Sequence, residues 1–138
     1  MKRYLLDTAL LAAYLHKRAK AITFLTPILQ SREAATSMIV YGEVVEYLKG
    51  LPDYSDHYRK FHLLLEEIPA YPLTYPVLER FADLRRNMRP PYGQGLIGDM
   101  DTPIAATALE NHLTLLTQDR DFDRVPHLNW QLVNLKPA

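Results

Sequence analysis

Cysteine is absent from the 138-residue sequence, which excludes disulfides, thiolate metal sites and cysteine nucleophiles. Any bound metal must therefore be held by oxygen or by histidine nitrogen. The sequence also lacks an apolar run of about 18 residues, the length that a membrane-spanning helix needs. Asp7 interrupts the apolar start before a signal-peptide core can form. We therefore expect a cytoplasmic protein with no membrane segment.

An excess of charge of either sign is missing as well, since 16 Lys and Arg residues balance 16 Asp and Glu residues. A neutral chain argues against a nucleic-acid partner, because phosphate binding favours a basic surface. If four acids gather in one metal site, however, the rest of the chain carries 16 bases against 12 acids, a net charge of +4. The overall charge therefore does not decide between classes of partner.

Length and composition indicate one folded domain over residues 1–138, because 48% of the residues are hydrophobic and no block of like charges occurs. Short apolar segments that are typical of buried strands alternate with longer segments of helical spacing. The predicted strands are residues 3–6, 35–40, 68–73, 113–117 and 130–135. The predicted helices are residues 10–16, 19–30, 41–49, 54–67, 76–87 and 104–110. This alternation predicts an α/β fold with a central, mostly parallel β-sheet and helices on both faces.

Two local signals set boundaries in the second half of the chain. Residues 89–95 contain two prolines and two glycines, which predicts a loop within the single domain. Thr102 followed by Pro103 has the order of an N-cap and a first-turn proline. We therefore expect Thr102 to cap the helix at residues 104–110.

Acidic residues follow three of the predicted strands. Asp7 ends the first strand, Glu43 comes shortly after the second, and Asp119 comes soon after the strand at residues 113–117. The carboxyl ends of parallel strands meet at one edge of a sheet, where ligands bind in open α/β folds. Asp101 lies at the start of a predicted helix, and the partial positive charge of a helix start favours an ionised carboxylate. A carboxylate must be ionised to bind a metal. The sequence therefore predicts that these four acids converge.

Each acid also has an ordinary structural interpretation. Asp7 and Asp101 fit helix N-caps, the usual role of aspartate before a helix. Glu43 fits a solvated charge on a helix face, and Asp119 fits a turn residue. Joint placement favours a shared site, because clustered carboxylates repel one another unless a cation holds them. Hard oxygen ligands select Mg²⁺ or Mn²⁺, and such ions promote phosphoryl transfer.

Four segments carry a family resemblance: Tyr-Leu-Leu-Asp7-Thr8, Tyr-Gly-Glu43, Asp101-Thr-Pro-Ile-Ala-Ala and Leu-Leu-Thr117-Gln-Asp119-Arg-Asp121-Phe. In this order they resemble PIN domains, and specifically the VapC toxins of bacterial and archaeal toxin–antitoxin pairs. The match extends over nearly the whole chain. Three positions depart from the pattern, since Ala9 and Gln118 stand where asparagine is common and Pro103 stands where an aliphatic residue is usual.

The resemblance implies a PIN-like fold and a cytoplasmic, Mg²⁺- or Mn²⁺-dependent endoribonuclease. It implies RNA as substrate, a VapB-like antitoxin as partner, and a homodimer. The implied site consists of Asp7, Glu43, Asp101 and Asp119 as catalytic metal ligands, Asp121 as a candidate fifth ligand, and Thr8 and Thr117 as supporting hydroxyls. Asp99 competes with Asp101 for its place, and we favour Asp101 because it keeps the family's spacing to Ile104.

Arginines are the candidate RNA contacts, since guanidinium groups bind phosphates well. The candidates are Arg3, Arg85, Arg86, Arg89, Arg120 and Arg124. Arg85 and Arg86 equally fit a solvated helix face. The main alternative to a nuclease is a PIN-like module that binds RNA or protein without cutting, and one sequence leaves that alternative open. The presence of all four expected acids favours catalysis.

Overall fold

The computed structural model describes residues 1–136 and contains five strands and six α-helices there. The strands are β1 (Tyr4–Leu6), β2 (Ala34–Ser37), β3 (Ala70–Tyr71), β4 (Thr114–Thr117) and β5 (Trp130–Leu132). The helices are α1 (Thr8–Leu15), α2 (Ala19–Gln30), α3 (Met38–Lys49), α4 (Tyr54–Leu64), α5 (Tyr75–Met88) and α6 (Asp101–Glu110), with a short 3₁₀ helix at Arg120–Arg124. None of the helices within residues 1–136 has the length and apolar character needed to cross a membrane.

The strands form one sheet in the order β3-β2-β1-β4-β5, and every neighbouring pair is parallel. The predicted α/β fold with a central parallel sheet is confirmed. Leu5 and Leu6 of β1 and Leu115 and Leu116 of β4 are completely buried. Consecutive buried residues mean that both faces of the central strands are covered, which explains why these segments are apolar throughout. Because β2, β1 and β4 are adjacent and parallel, their carboxyl ends meet at one edge of the sheet.

Strand β2 ends earlier than the sequence predicts. The predicted strand at residues 35–40 continues through an apolar run, but the observed strand stops at Ser37. The Ser37 hydroxyl accepts a hydrogen bond from the Val40 amide at 3.1 Å and caps α3, which begins at Met38 instead of residue 41. Glu43 therefore lies in the second turn of α3. An apolar run of this length fits a buried helical turn as well as a strand.

The two edge strands are also shorter than predicted. The strand predicted at residues 68–73 is observed only at Ala70–Tyr71, and the strand predicted at residues 130–135 is observed only at Trp130–Leu132. Each edge strand pairs with a neighbour on one side only, so fewer hydrogen bonds hold its ends. The predicted loop at residues 89–95 is confirmed, and it closes on α5 through a 2.7 Å hydrogen bond from the Gly95 amide to the Met88 carbonyl.

The prediction that Thr102 caps a helix is wrong. Helix α6 begins at Asp101, so Thr102 lies within its first turn. The Thr102 hydroxyl donates a 3.0 Å hydrogen bond to the Gly98 carbonyl, and the Thr102 amide donates to the same oxygen. These bonds form the turn that brings Asp101 to the start of α6. The helix packs against α5 and buries residues 102–108, which explains why most residues of this stretch are small or apolar.

Candidate metal centre

Asp7 lies at the carboxyl end of the central strand β1 and is only 8% exposed. Its Oδ1 atom accepts a 2.8 Å hydrogen bond from the Thr8 amide, which confirms that it caps α1. Its Oδ2 atom accepts a 2.6 Å hydrogen bond from the Thr117 hydroxyl at the end of β4. Capping therefore occupies one carboxylate oxygen, while the other is oriented by the neighbouring strand.

The neighbouring strands bring Glu43 and Asp119 to the same edge of the sheet. Glu43 Oε1 accepts a 2.6 Å hydrogen bond from the Thr8 hydroxyl. The Asp119 amide donates a 3.1 Å hydrogen bond to the Thr117 hydroxyl, and Asp119 Oδ1 accepts one of 2.8 Å from the Asp121 amide. Thr8 and Thr117 thus connect three acids from the end of β1, from α3 and from the segment after β4, as the predicted convergence requires.

Asp101 and Asp99, which the sequence could not separate, lie in different surroundings. Asp101 is half-buried at the start of α6 and lines the same cavity as Asp7. A Cβ atom at Gly98 would lie 3.0 Å from Asp101 Oδ2, so glycine leaves room for this carboxylate. The Asp99 side chain is 91% exposed and accepts a 2.9 Å hydrogen bond from Arg85 Nη1. Asp101 rather than Asp99 therefore lies with Asp7, Glu43 and Asp119. These four side chains are called the acidic cluster below.

An open cavity of about 730 Å³ lies over the cluster. Its walls are formed by Asp7, Thr8, Ala9, Ala12, Glu43, Tyr47, Asp101, Thr117, Gln118, Asp119, Arg120 and Lys136. All four acids that the sequence selected as metal ligands line this cavity, together with both supporting threonines. Asp121 is exposed and lies outside the lining, 3.7 Å from Arg124 Nη2. Two polar residues of the lining, Tyr47 and Lys136, were not predicted.

The electrostatics of the cluster are those of carboxylates crowded without enough positive charge. Burial raises the pKa of Asp7, although the hydrogen bonds from Thr117 and Thr8 oppose this, and the charges of Glu43 and Asp119 raise it further. Burial is also the largest cause that raises the pKa of Asp101 from 3.8 to about 6. The negative charges of Asp7, Asp119, Glu43 and Asp121 then add to the rise for Asp101. Ionising the whole cluster therefore costs free energy unless a cation is bound.

The chemistry of the donor set suits a hard divalent cation, although the side chains are not arranged as a complete site. Within residues 1–136, no three acidic or histidine side chains converge closely enough to make a complete metal site as they stand. Threonine hydroxyls donate hydrogen bonds to Asp7 and Glu43, and these bonds hold carboxylate oxygens that a cation would otherwise bind. The cluster nevertheless offers only oxygen ligands, the type that Mg²⁺ and Mn²⁺ prefer. Burial, and to a smaller extent the charges of neighbouring carboxylates, raises the pKa values of Asp7 and Asp101, and a bound cation would favour their ionised forms.

Among the candidate arginines, Arg120 lines the cavity directly after Asp119. Arg3 lies at the amino end of β1, opposite the end that carries Asp7, and pairs with Glu33 at 3.2 Å. Arg124 Nη1 donates a 3.1 Å hydrogen bond to the carbonyl of Leu96, which anchors the 3₁₀ helix. Only Arg120 of these three is placed to meet a ligand in the cavity.

The remaining arginines lie at the end of α5. Arg85 pairs with the exposed Asp99, and Arg86 and Arg89 are exposed to solvent. None of the three is among the residues that form the walls of the acidic cavity. The surroundings of Arg85 and Arg86 match the alternative of a solvated helix face.

Comparisons with known proteins agree with this architecture. VapBC2 of Rickettsia felis, solved bound to a DNA fragment from its promoter, is 20% identical, with a TM-score of 0.82 over 95% of this chain and 98% of that chain. A DNA-bound VapBC from Salmonella typhimurium is 14% identical, with a TM-score of 0.81 over 95% and 98%. A toxin–antitoxin complex from Klebsiella pneumoniae is 22% identical, with a TM-score of 0.71 over 98% and 99%. These likenesses show a shared fold.

No curated protein matches this chain in sequence. The family model of the PIN domain, by contrast, matches residues 4–128. This range includes every strand except β5 and all four cavity acids. The chain therefore belongs to the PIN domain family.

Proposed function

We propose that this protein is a metal-dependent endoribonuclease and the VapC-type toxin of a toxin–antitoxin pair in the cytoplasm. The observation that carries the proposal is that four carboxylates from different elements line one cavity, with negative charge in excess. Membership of the PIN domain family supports nuclease chemistry, and the shared fold with toxin–antitoxin structures supports the toxin role.

Asp7, Glu43, Asp101 and Asp119 would hold Mg²⁺ or Mn²⁺, with Asp121 adding to the negative field. A bound ion polarises a phosphodiester and lowers the pKa of an attacking water. The chain's own part is to orient the ligands, since the Thr117 hydroxyl fixes Asp7 Oδ2 and the Thr8 hydroxyl fixes Glu43 Oε1.

Proton and phosphate handling also depend on residues of the chain. In the metal-free protein, the Asp101 carboxyl retains a proton below a pH of about 6, because its pKa is raised to that value. Below that pH, binding of a cation would release this proton, because a metal ligand must be ionised. The Arg120 guanidinium, on the cavity wall beside Asp119, is available to bind a phosphate of the substrate.

A cleavage assay on purified protein tests the nuclease proposal. End-labelled RNA should be cut internally in Mg²⁺ or Mn²⁺ and left intact in EDTA. Asp7→Asn should reduce cleavage at least about 100-fold, because one of the ion's charged ligands is removed. Asp83→Asn, a change of the same chemistry on the exposed surface of α5, should cleave like the wild type.

Cleavage that persists in Asp7→Asn would disprove the proposed site. Binding of RNA without cleavage under all metal conditions would instead support the non-catalytic PIN-like module. Mapping the cut positions in total cellular RNA, with Asp7→Asn as reference, would identify the substrate class.

The partners are part of the same proposal. We expect a VapB-like antitoxin encoded directly upstream, and a homodimer. Co-expression of the two genes should give a stable complex whose nuclease activity is suppressed, and light scattering should give twice the chain mass of 15.9 kDa for the toxin alone. Free nuclease activity in the presence of the upstream protein would contradict the toxin role without affecting the nuclease role.

A further inference from the structure

Tyr47 is an exposed tyrosine on α3, the helix that also carries Glu43 of the acidic cluster. Tyr47 lies four residues after Glu43 in α3, so the two side chains share one helix face with a rise of about 6 Å between them. Tyr47 lines the acidic cavity, and 43% of its surface is exposed. Core packing does not account for a large aromatic ring left open at the wall of a charged cavity.

The Tyr47 ring is held in place by His16, which in turn packs on α4. Its hydroxyl is hydrogen-bonded to His16 Nε2 at the end of α1, and the two rings meet edge to face with centroids 5.3 Å apart. His16 in turn packs on His57 of α4 at 5.8 Å, and His57 Nε2 lies 3.1 Å from Asp53 Oδ1. A ring held in this way loses little conformational freedom when a ligand packs on it.

Positive side chains come to the same cavity from the other side of Asp7. Arg120 follows β4 and Lys136 follows β5, and both line the cavity. Tyr47 belongs to α3, which follows β2. Since β2 and β4 flank β1 in the sheet, the aromatic residue and the basic residues reach Asp7 from opposite directions. The cavity thus combines a flat apolar surface, an acidic centre and a cationic side.

We infer that Tyr47 stacks on a base of single-stranded RNA at the wall of the acidic cavity, while Arg120 and Lys136 contact the backbone. This inference rests on the proposed nuclease function. Sequence-tolerant binding of single strands combines aromatic stacking with positive charge along the backbone, which is the combination present here. A duplex keeps its bases stacked on each other, so its bases cannot use the Tyr47 ring. A cavity of 730 Å³ is within the range that holds small ligands, so a nucleotide has room.

Equilibrium binding of a short fluorescein-labelled single-stranded RNA to the full chain tests the inference. The measurement is made in EDTA, so that cleavage does not interfere. Tyr47→Leu should weaken binding about 5- to 100-fold, because the stacked base loses its aromatic surface. Tyr47→Phe keeps the ring and should bind within about threefold of the wild type. Tyr75→Leu is the matched control, since Tyr75 is 88% exposed on α5 and outside the cavity.

The same variants should bind a blunt RNA duplex like the wild type, and circular dichroism should confirm that they fold. In the cleavage assay, Tyr47→Leu should raise KM more than it lowers kcat, because stacking contributes to binding. Equal single-strand affinity of folded Tyr47→Leu and Tyr75→Leu would overturn the inference, as would an equal loss in Tyr47→Phe and Tyr47→Leu. Preferential binding of a protein at this surface, with no effect of Tyr47 on RNA, would overturn it too.

The inference and the nuclease proposal fail in different ways. Binding that depends on Tyr47, without any metal-dependent cleavage, would refute the nuclease proposal and leave the stacking role intact. Cleavage that depends on Asp7, with RNA affinity independent of Tyr47, would refute the stacking role alone.

Discussion

Replacing Asp101 by asparagine should stabilise the metal-free protein, even though it damages the proposed site. The folded protein raises the pKa of this carboxyl from 3.8 to about 6, mainly through burial and then through repulsion from neighbouring acids. At 1.36 kcal/mol per pH unit, that difference corresponds to about 3 kcal/mol of unfavourable free energy in the ionised state. Asp101 is only half-buried, so solvent screening reduces the figure to about 1–2 kcal/mol.

A second effect acts in the opposite direction. A negative charge in the first turn of α6 is favoured by the helix dipole, and its loss costs about 0.3–1 kcal/mol. The expected net gain for Asp101→Asn is therefore about 1 kcal/mol at pH 7.5. Urea denaturation at 25 °C in EDTA measures it directly, with Asp83→Asn as the control that should change little.

The pH dependence gives the prediction its sign. The pKa of the Asp101 carboxyl is higher in the folded than in the unfolded wild type, so the folded protein binds this proton more tightly. The resulting contribution to the free energy of unfolding is fully present below pH 3.8. That stability is lost as the pH rises through about 6. The advantage of Asp101→Asn should therefore fall to a few tenths of a kcal/mol near pH 4.

Saturating Mn²⁺ should make the wild type more stable than Asp101→Asn. An ion at 100 times its Kd adds about 2.7 kcal/mol to the wild type, and Asp101→Asn should gain less because it binds the ion more weakly. An Asp101→Asn protein that is no more stable than the wild type in EDTA at pH 7.5 would refute the argument from burial and repulsion. A gain of the same size at pH 4 and pH 7.5 would refute it equally.

Four further substitutions test other parts of the structure. Thr117→Val should cost about 1–3 kcal/mol in urea denaturation at neutral pH and raise the pKa of Asp7 further, because a buried carboxylate oxygen loses its donor; unchanged stability would contradict this. Gly93→Ala should cost about 1–3 kcal/mol in thermal melts, because its Cβ would overlap backbone atoms at the end of α5, whereas Gly42→Ala in α3 should gain about 0.5–1 kcal/mol. If Gly93→Ala and Gly42→Ala changed the stability in the same direction, this explanation from packing would be wrong. Asp99→Asn should leave Mn²⁺ affinity within about twofold in a calorimetric titration, since its ion pair is exposed; a tenfold loss would move the metal site toward Asp99.

The sheet and the convergence of acids follow from simple features of the sequence. Short apolar segments separated by helices require parallel strands, and parallel strands place Asp7, Asp119 and the start of α3 at one edge. For this reason the fold was predicted correctly from patterning, and so was the approach of Glu43 to this edge. The role of these acids in metal binding stays a prediction.

Other features depend on contacts that no local pattern determines. The run from Met38 to Val40 suits a strand or a helix equally, and the Ser37 cap decides between them. Asp99 and Asp101 differ by two positions, and only the turn at Gly98 sends one to solvent and the other to the cavity. Tyr47 could have been found from its i+4 spacing to Glu43, whereas Lys136 reaches the cavity through the path of the chain after β5.

Equilibrium binding of Mn²⁺, followed by electron paramagnetic resonance, tests the central claim that the acidic cluster is a divalent-metal site. The wild type and Asp83→Asn should bind Mn²⁺ alike, and Asp7→Asn should bind it at least about tenfold more weakly. Affinity for Mn²⁺ that is unchanged in Asp7→Asn, in a protein that circular dichroism shows to be folded, would contradict the claim.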